Sequence, residues 1–359
     1  MKLLLICTVP FSMTGIPIHI KNYYCELKKK ENCNVDICAP EYNKNFLDSI
    51  ELCKTTEIYT INRTSGIFNY FIKLRKIIRE NNYDIVHIHG NSSTMSLELF
   101  ACIGIRNIKI VHAHNTSCSH KIINILLKPF LKCFSNYKFA CSIEAGDWLY
   151  GKKSSYTVIN NGIDADKFYY SAEERKKIRK QYSISDECFI IGHVGSFNEQ
   201  KNHDFILNIA ENLSHYKMDF KVFLVGDGAE KERFKHKTKQ LSLEKYFIFM
   251  EQTKNIGQYY SVFDIFILPS KWEGFGMVAV EAQISGLPCI VSEFVSRSID
   301  ISKKTIFLKL DNREWEENIY NIYQAKNRTR YNCANVEFDI KYCADKLYYM
   351  YLGFIENNK

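Results

Sequence analysis

The sequence predicts an α/β chain folded as two doubly wound parallel sheets. Three observations predict it. The 359 residues exceed what one ordinary hydrophobic core covers. Short apolar runs alternate with longer amphipathic stretches, the pattern of a parallel sheet covered by helices. That alternation restarts part-way along the chain, which places a domain boundary near residue 165.

The first set of buried strands reads as Lys2–Cys7, Asn34–Ala39, Ile85–His89, Ile108–Ala113, Tyr137–Cys141 and Tyr156–Ile159, with amphipathic stretches such as Ile67–Asn81 between them. Lys2 followed by Leu3, Leu4, Leu5 and Ile6 faintly resembles a signal peptide. The apolar stretch is short and no small-residue cleavage site follows, so it reads as the first strand. The charged segment Ser171–Tyr182 precedes a second set at Phe189–Val194, Lys221–Val225, Phe247–Phe249, Ile265–Leu268 and Cys289–Val291. The tyrosine-rich, amphipathic Ile340–Ile355 closes the sequence. The expected domains are 1–165 and 166–339, facing each other across a cleft. Ligands of such sheets bind beyond the carboxyl ends of the strands, so chemistry is expected in the loops that follow them.

Composition sets outer bounds. Hydrophobic residues make up 46% and charged residues 25%, a globular balance. No apolar run reaches the roughly 18 residues of a membrane span. The 13 cysteines are odd in number and show no C-x-x-C pair. That argues against a disulfide framework or a zinc ribbon and points to a reducing, cytoplasmic setting. The net charge of +8 suits an anionic partner and leaves nucleotide phosphate, nucleic acid and the inner membrane leaflet open. Nucleic acid is not expected, because no basic patch carries interleaved aromatics in a recognisable motif.

The strongest chemical signal is Pro269–Ala282, where a buried strand runs into a glycine-containing loop and then a helix near Met277. Such a loop presents backbone N–H groups at a helix N-terminus, which suits an anion, and Gly274 and Gly276 allow its close approach. Glu273 before the helix and Glu281 within it could each accept hydroxyl hydrogen bonds. Their structural alternative is a helix-entry charge and a solvated face. The segment resembles the E-x7-E signature of retaining GT-B enzymes in glycosyltransferase family 4, including Glu-Gly-Phe-Gly and the later Ser285-Gly286-Leu287-Pro288. The resemblance assigns Glu273 to the donor sugar, Glu281 to the ribose, and the Gly274–Phe275–Gly276 loop with Met277 and Val278 to the donor phosphates. It also implies a front-face, retaining transfer with neither metal nor cofactor.

Gly192–His203 resembles the same family's phosphate clamp. Lys201 matches its lysine, but Ser196 stands where the family has arginine. One hydroxyl replaces a planar two-point fork, and the loss could weaken donor binding by a few kcal/mol. Lys201 is expected to stabilise charge on the leaving phosphate. In the first half, His112 and His114 alternate at the end of a strand. That geometry could suit a metal, but no third ligand is evident, so no metal is expected. The family places a histidine near the donor sugar at the end of this strand, and His114 fits it best, leaving His112 to the core. His87 and His89 read as packing or cleft lining. Gly15 in Ser12–Pro17 matches one of a glycine pair near the donor, with a turn glycine as the alternative. Asn160-Asn161-Gly162-Ile163-Asp164 resembles the family's hinge signature, and because the family's terminal helix crosses back onto the first domain, the resemblance implies that 340–359 packs there with 1–165. Gly226-Asp227-Gly228 lacks the third glycine of a dinucleotide fingerprint, because Lys231 takes its place. Gln252–Ile256 lies where the family contacts the base through backbone atoms.

The stretch Lys121–Lys138 mixes Lys121, Lys128, Lys132 and Lys138 with apolar residues. It suggests a basic amphipathic surface for anionic lipid, broken or kinked at Pro129. The implied activity is hexosyl transfer from a nucleotide diphosphate sugar, with UDP preferred by family habit. The implied acceptor is a lipid-linked saccharide of bacterial exopolysaccharide or capsule synthesis, and the enzyme would be cytoplasmic and peripheral on the inner face of the membrane. The rival readings are a nucleotide-sugar epimerase of the same fold and a non-catalytic sugar-nucleotide binder, which Ser196 alone favours.

Overall fold

The computed structural model describes residues 1–63, 66–251, 255–325, 330 and 336–358. Gln252, Thr253 and Lys254 of the expected base-contacting loop lie outside them. The chain forms two compact units, one of residues 1–164 with 336–359 and one of residues 165–335.

In unit 1 the order is β1 Lys2–Cys7, α1 Gly15–Leu27, β2 Asn34–Ala39, α2 Lys44–Leu47, β3 Ile58–Thr60, α3 Ile67–Asn81, β4 Ile85–Gly90, α4 Ser96–Ala101, β5 Ile108–Ala113, α5 Lys121–Phe134, β6 Tyr137–Ala140, α6 Ile143–Tyr150 and β7 Thr157–Val158. Unit 2 continues with α7 Ala172–Gln181, β8 Phe189–Val194, α8 His203–Leu213, β9 Phe220–Val225, α9 Lys231–Gln240, β10 Phe247–Met250, α10 Gly257–Tyr260, β11 Ile265–Leu268, α11 Met277–Ile284, β12 Cys289–Ser292, β13 Ile306–Leu308 and α12 Asn312–Gln324. The last helix, α13 Ile340–Asn357, belongs to unit 1.

The seven-stranded sheet of unit 1 has the order β3-β2-β1-β4-β5-β6-β7, and the six-stranded sheet of unit 2 has β10-β9-β8-β11-β12-β13. All the pairings are parallel. In each sheet the chain starts near the middle, winds one way and then the other. The direction reverses between β1 and β4 in unit 1 and between β8 and β11 in unit 2. At such switch points adjacent loops diverge and leave a crevice at the carboxyl edge. The edge strands β3 and β13 escape the sequence pattern. Each has three residues, none of those side chains is fully buried, and even the apolar Ile306–Leu308 is too short a run to announce a strand.

The unit 1 core joins Leu3 and Leu5 of β1 to Ile20, Tyr24 and Leu27 of α1 and to Ala344, Leu347 and Tyr351 of α13. Asp339 caps α13 by accepting from the amides of Lys341 and Tyr342. The Asn160–Ile163 turn ties the same elements together. Asn22 Nδ2 donates to the Gly162 carbonyl at 3.0 Å, and Ile163 and Phe338 pair through their backbones at 2.8 Å. Pro129 neither breaks nor ends α5, which runs through it from Lys121 to Phe134. The carbonyl four residues back, which the ring deprives of a partner, belongs to exposed Ile125, so water is close at hand to satisfy it.

Candidate functional site

The carboxyl edge of unit 2 is assembled from the loops after β8 and β11, which pair at Ile191–Ile265 and Gly192–Phe266. The two loops are laced together. The Lys271 amide donates to the Gln200 carbonyl at 2.9 Å, and Asn202 Nδ2 donates to the Pro269 carbonyl at 3.2 Å. This scaffold brings Lys201 Nζ onto Glu273 Oε1 as a mostly buried ion pair. Ser270 Oγ donates to the same carboxylate at 2.9 Å, and Gln200 Nε2 donates to its other oxygen at 3.3 Å. Glu273 is 7% exposed. A charge that far from water requires partners, and it has them.

After Glu273 the chain passes through Gly276 at φ +100, a left-handed conformation in which a Cβ would also press on Val295 at 2.9 Å. The first amides of α11 receive no side-chain hydrogen bond from that glycine cap, and the Ala279 amide donates to its carbonyl at 2.9 Å. They carry the positive end of the helix dipole. Phe275 is buried, so only its backbone has access to a ligand. Glu281, on α11, accepts from Tyr260 Oη at 2.7 Å. Burial pushes its carboxyl up to about 7, against the opposing hydrogen bond from Tyr260 and the nearby charge of Lys201. Ser196 sits half-buried at the start of the same loop, just after Gly195. The Gly226–Gly228 turn is structural. A Cβ on Gly226 would meet the Gly195 carbonyl oxygen at 2.0 Å, and one on Gly228 would meet that of Phe197 at 2.5 Å.

Unit 2 thus gathers Ser196, Lys201, Glu273, the Gly274–Gly276 loop, Met277, Val278 and Glu281 on one set of adjoining loops and one helix. Three contributors escaped the sequence reading. Gln200 is overshadowed by its neighbour Lys201, Ser270 is an unremarkable loop serine, and Tyr260 arrives from a helix with no motif.

Gly15 and His114 belong to unit 1. Gly15 opens α1 in open space, where a Cβ would meet nothing within 4 Å. His114 follows β5 and joins a cluster of imidazoles. Its Nε2 lies 3.0 Å from His89 Nδ1. His112 is fully buried beside it, with ring centroids 4.1 Å apart. His19 reaches the cluster from α1, held by Asn161 Oδ1 at 2.7 Å. His87 is held by Tyr351 Oη at 2.6 Å. Burial lowers the pKa of all five imidazoles, to about 4 for His19 and well below the ordinary value for the others. The expectation that His112 and His114 lack further ligand partners therefore does not hold. The fold supplies His89 from the adjacent strand and His19 from a helix. The alternation in β4 and β5 signalled two pairs, and nothing in the sequence brought His19 to them.

Comparison with known proteins adds an independent line. The family described as Glycosyltransferase Family 4 matches residues 13–167, and that described as Glycosyl transferases group 1 matches residues 174–326. EpsF of Bacillus subtilis is 29% identical over 247 residues, which span 66% of this chain and 64% of EpsF. The Escherichia coli UDP-Gal:α-D-GlcNAc-diphosphoundecaprenol α-1,3-galactosyltransferase is 25% identical over 320 residues, 80% of this chain and 79% of the relative. Among solved structures, Anabaena HepE in complex with UDP superposes with a TM-score of 0.81 at 17% identity, covering 98% of this chain and all of HepE.

Proposed function

The chain belongs to glycosyltransferase family 4 with the GT-B fold, and from that premise we propose that it moves a hexose from a UDP-sugar to a lipid-linked saccharide in bacterial polysaccharide synthesis, with retention of anomeric configuration. The observation that carries the donor assignment is the Lys201–Glu273 pair beside the uncapped N-terminus of α11. In this reading the diphosphate lies against the α11 amides and Lys201. As the glycosidic bond breaks, negative charge grows on the leaving phosphate, and a fixed ammonium and preoriented amides lower the barrier most at that point. Glu273 turns its carboxylate to the sugar hydroxyls, and Glu281 takes the ribose. The donor oxygen leaving with the phosphate accepts the acceptor proton, so no protein base is required. His114 is assigned to the transferred sugar on the family resemblance. The lipid-linked acceptor is supported by the diphosphoundecaprenol acceptor in the name of the Escherichia coli relative.

The acceptor also sets the second element of the proposal. Among the described residues no helix is long and apolar enough to cross a membrane. Helix α5, however, turns Ile122, Ile123, Ile125, Leu126 and Phe130 outward, while its polar Asn124 is buried and accepts from the Ser93 amide at 2.8 Å. Exposed Lys121 and Lys132 lie on the same helix. An apolar face with cationic neighbours suits an anionic bilayer surface. Ile122→Asp with Leu126→Asp is expected to abolish sedimentation with phosphatidylglycerol-containing vesicles. Retained binding in that variant would remove the membrane element.

The transfer itself is tested by nucleoside diphosphate release from a panel of UDP- and GDP-sugars, with and without lipid-linked acceptor extract. Acceptor-dependent release that Glu273→Ala lowers at least ~100-fold is expected. Conversion of the donor without acceptor would favour an epimerase, and UDP binding with no turnover would favour a non-catalytic binder.

A further inference from the structure

We infer that His19, His89, His112 and His114 form a binding site for a divalent transition-metal ion of the zinc class, built at the switch point of the first sheet. Each residue offers one ring nitrogen, and the four nitrogens all lie within 4.8 Å of one another. The six ring-centroid separations run from 4.1 to 5.5 Å, so the rings surround a common centre instead of stacking in a row. Four imidazoles arranged tetrahedrally around zinc at its usual bond length place their nitrogens about 3.4 Å apart. Loading therefore asks for a closure of about an ångström, within the reach of side-chain torsions.

The second observation is a set of unsatisfied donors and acceptors. His19 Nε2, His89 Nε2 and both nitrogens of His112 are buried and make no hydrogen bond to the protein. Each buried polar atom left so costs about 1–3 kcal/mol, and one ion would satisfy several at once. Residues behind the rings orient them as outer partners orient metal ligands. Asn161 holds Nδ1 of His19 and thereby leaves its Nε2 to bind. His87, anchored by Tyr351, lies against His89 with centroids 4.0 Å apart. The supports are two strand ends and a helix, elements that hold their geometry. Burial keeps the rings neutral, the form that ligates. All-imidazole sets favour zinc, copper and nickel over magnesium or calcium. In unit 2, by contrast, His193 and His203 are an isolated pair with unpartnered nitrogens and make no such set.

The inference rests on unit 1 alone and shares one residue with the transferase reading, His114, which that reading assigns to the transferred sugar. The metal-free transfer step concerns the donor phosphates held by unit 2, whereas this ion would clamp α1, β4 and β5 of unit 1.

The test uses the full chain, stripped with a chelator and titrated with Zn²⁺ against a chromophoric competitor. About one equivalent per chain, bound at sub-micromolar affinity, is expected. Co²⁺ should give the intense visible bands of a four-coordinate site. His112→Asn and His19→Asn should each weaken Zn²⁺ binding at least ~100-fold. Asn161→Ala leaves all four ligands in place and should weaken it about 10–100-fold with an unchanged circular dichroism spectrum. His203→Asn, in unit 2, should change nothing. Absence of stoichiometric Zn²⁺ binding, or binding that survives both ligand substitutions, would overturn the site. Neither readout involves nucleotide release, so a failed transfer assay leaves this result standing.

Discussion

In unit 1 the crevice edge of the sheet gathers five imidazoles and no charged side chain among the cluster, whereas the corresponding edge of unit 2 holds a lysine–glutamate pair, an amide-rich helix start and a protonatable Glu281. The backbone plan is shared. Each sheet reverses its winding beside its first strand; unit 2 carries its polar residues in the loops and helix beyond the strands there, whereas in unit 1 His87, His89 and His112 lie within β4 and β5 themselves. Apart from the backbone amides at the start of α11, the difference lies in side chains. The scaffold fixes where a ligand can approach, and a handful of loop residues decide whether it meets fixed charge or neutral nitrogen.

The comparison breaks most readily at Lys201. If unit 2 alone carries the charge chemistry, Lys201→Ala should lower nucleoside diphosphate release by ~100-fold or more. A loss of similar size on removing His87 or His112 of the unit 1 cluster would erase the distinction.

Acid should separate the units next. The five unit 1 imidazoles have folded pKa values below the ordinary 6.5. The folded state resists their protonation, so the stability they lend is complete above about pH 6.5 and is lost as pH falls, through about 4 for His19. Each titrating group steepens the loss by up to roughly 1.4 kcal/mol per pH unit. Amide exchange in β4 and β5 should accelerate between pH 6.5 and 5 well before exchange in β11 and β12. In unit 2 the imidazoles shifted in the same sense are those of His193 and His203.

Glu281 has the opposite sign. Its folded pKa is raised from 4.5 to about 7, so its contribution is full below about pH 4.5 and disappears as pH rises through 7. Glu281→Gln should therefore match the wild type in melting temperature at pH 5 and exceed it at pH 8, by an amount on the order of 1 kcal/mol. A gain that is the same at both pH values would mean the carboxyl is ordinarily ionised. The smallest effect is expected at Ser196. Ser196→Arg should restore a two-point phosphate contact and tighten UDP binding about tenfold, measured by calorimetry. Unchanged affinity would mean the diphosphate does not pass that residue.

Much of the fold was legible because buried parallel strands leave continuous apolar runs, as in Ile265–Leu268 and Ile108–Ala113. The short edges Ile58–Thr60 and Ile306–Leu308 were not, since three residues are too few for a run to announce a strand. Pro129 shows a local rule overridden, because α5 is held from both ends by Asn124 and Leu131 in the interior. At the candidate site, residues adjacent in sequence, such as Glu273 and Gly274–Gly276, could be read as a motif. The partners that set their chemistry could not. Tyr260 meets Glu281 across 21 positions and Asn161 meets His19 across 142. Pairings of that range exist only once the chain has folded.

Helix α13 has a consequence for the order of events during synthesis. Residues 165–335 emerge and can close their own sheet while unit 1 still lacks its last element. Until α13 follows, the apolar side of α1 has no cover from Ala344 and Leu347, and His87 has no Tyr351 hydroxyl to meet. The first half of the nascent chain must therefore wait, partly uncovered, for the tail to arrive. A released chain ending before residue 336 should leave unit 1 sensitive to protease while unit 2 is resistant.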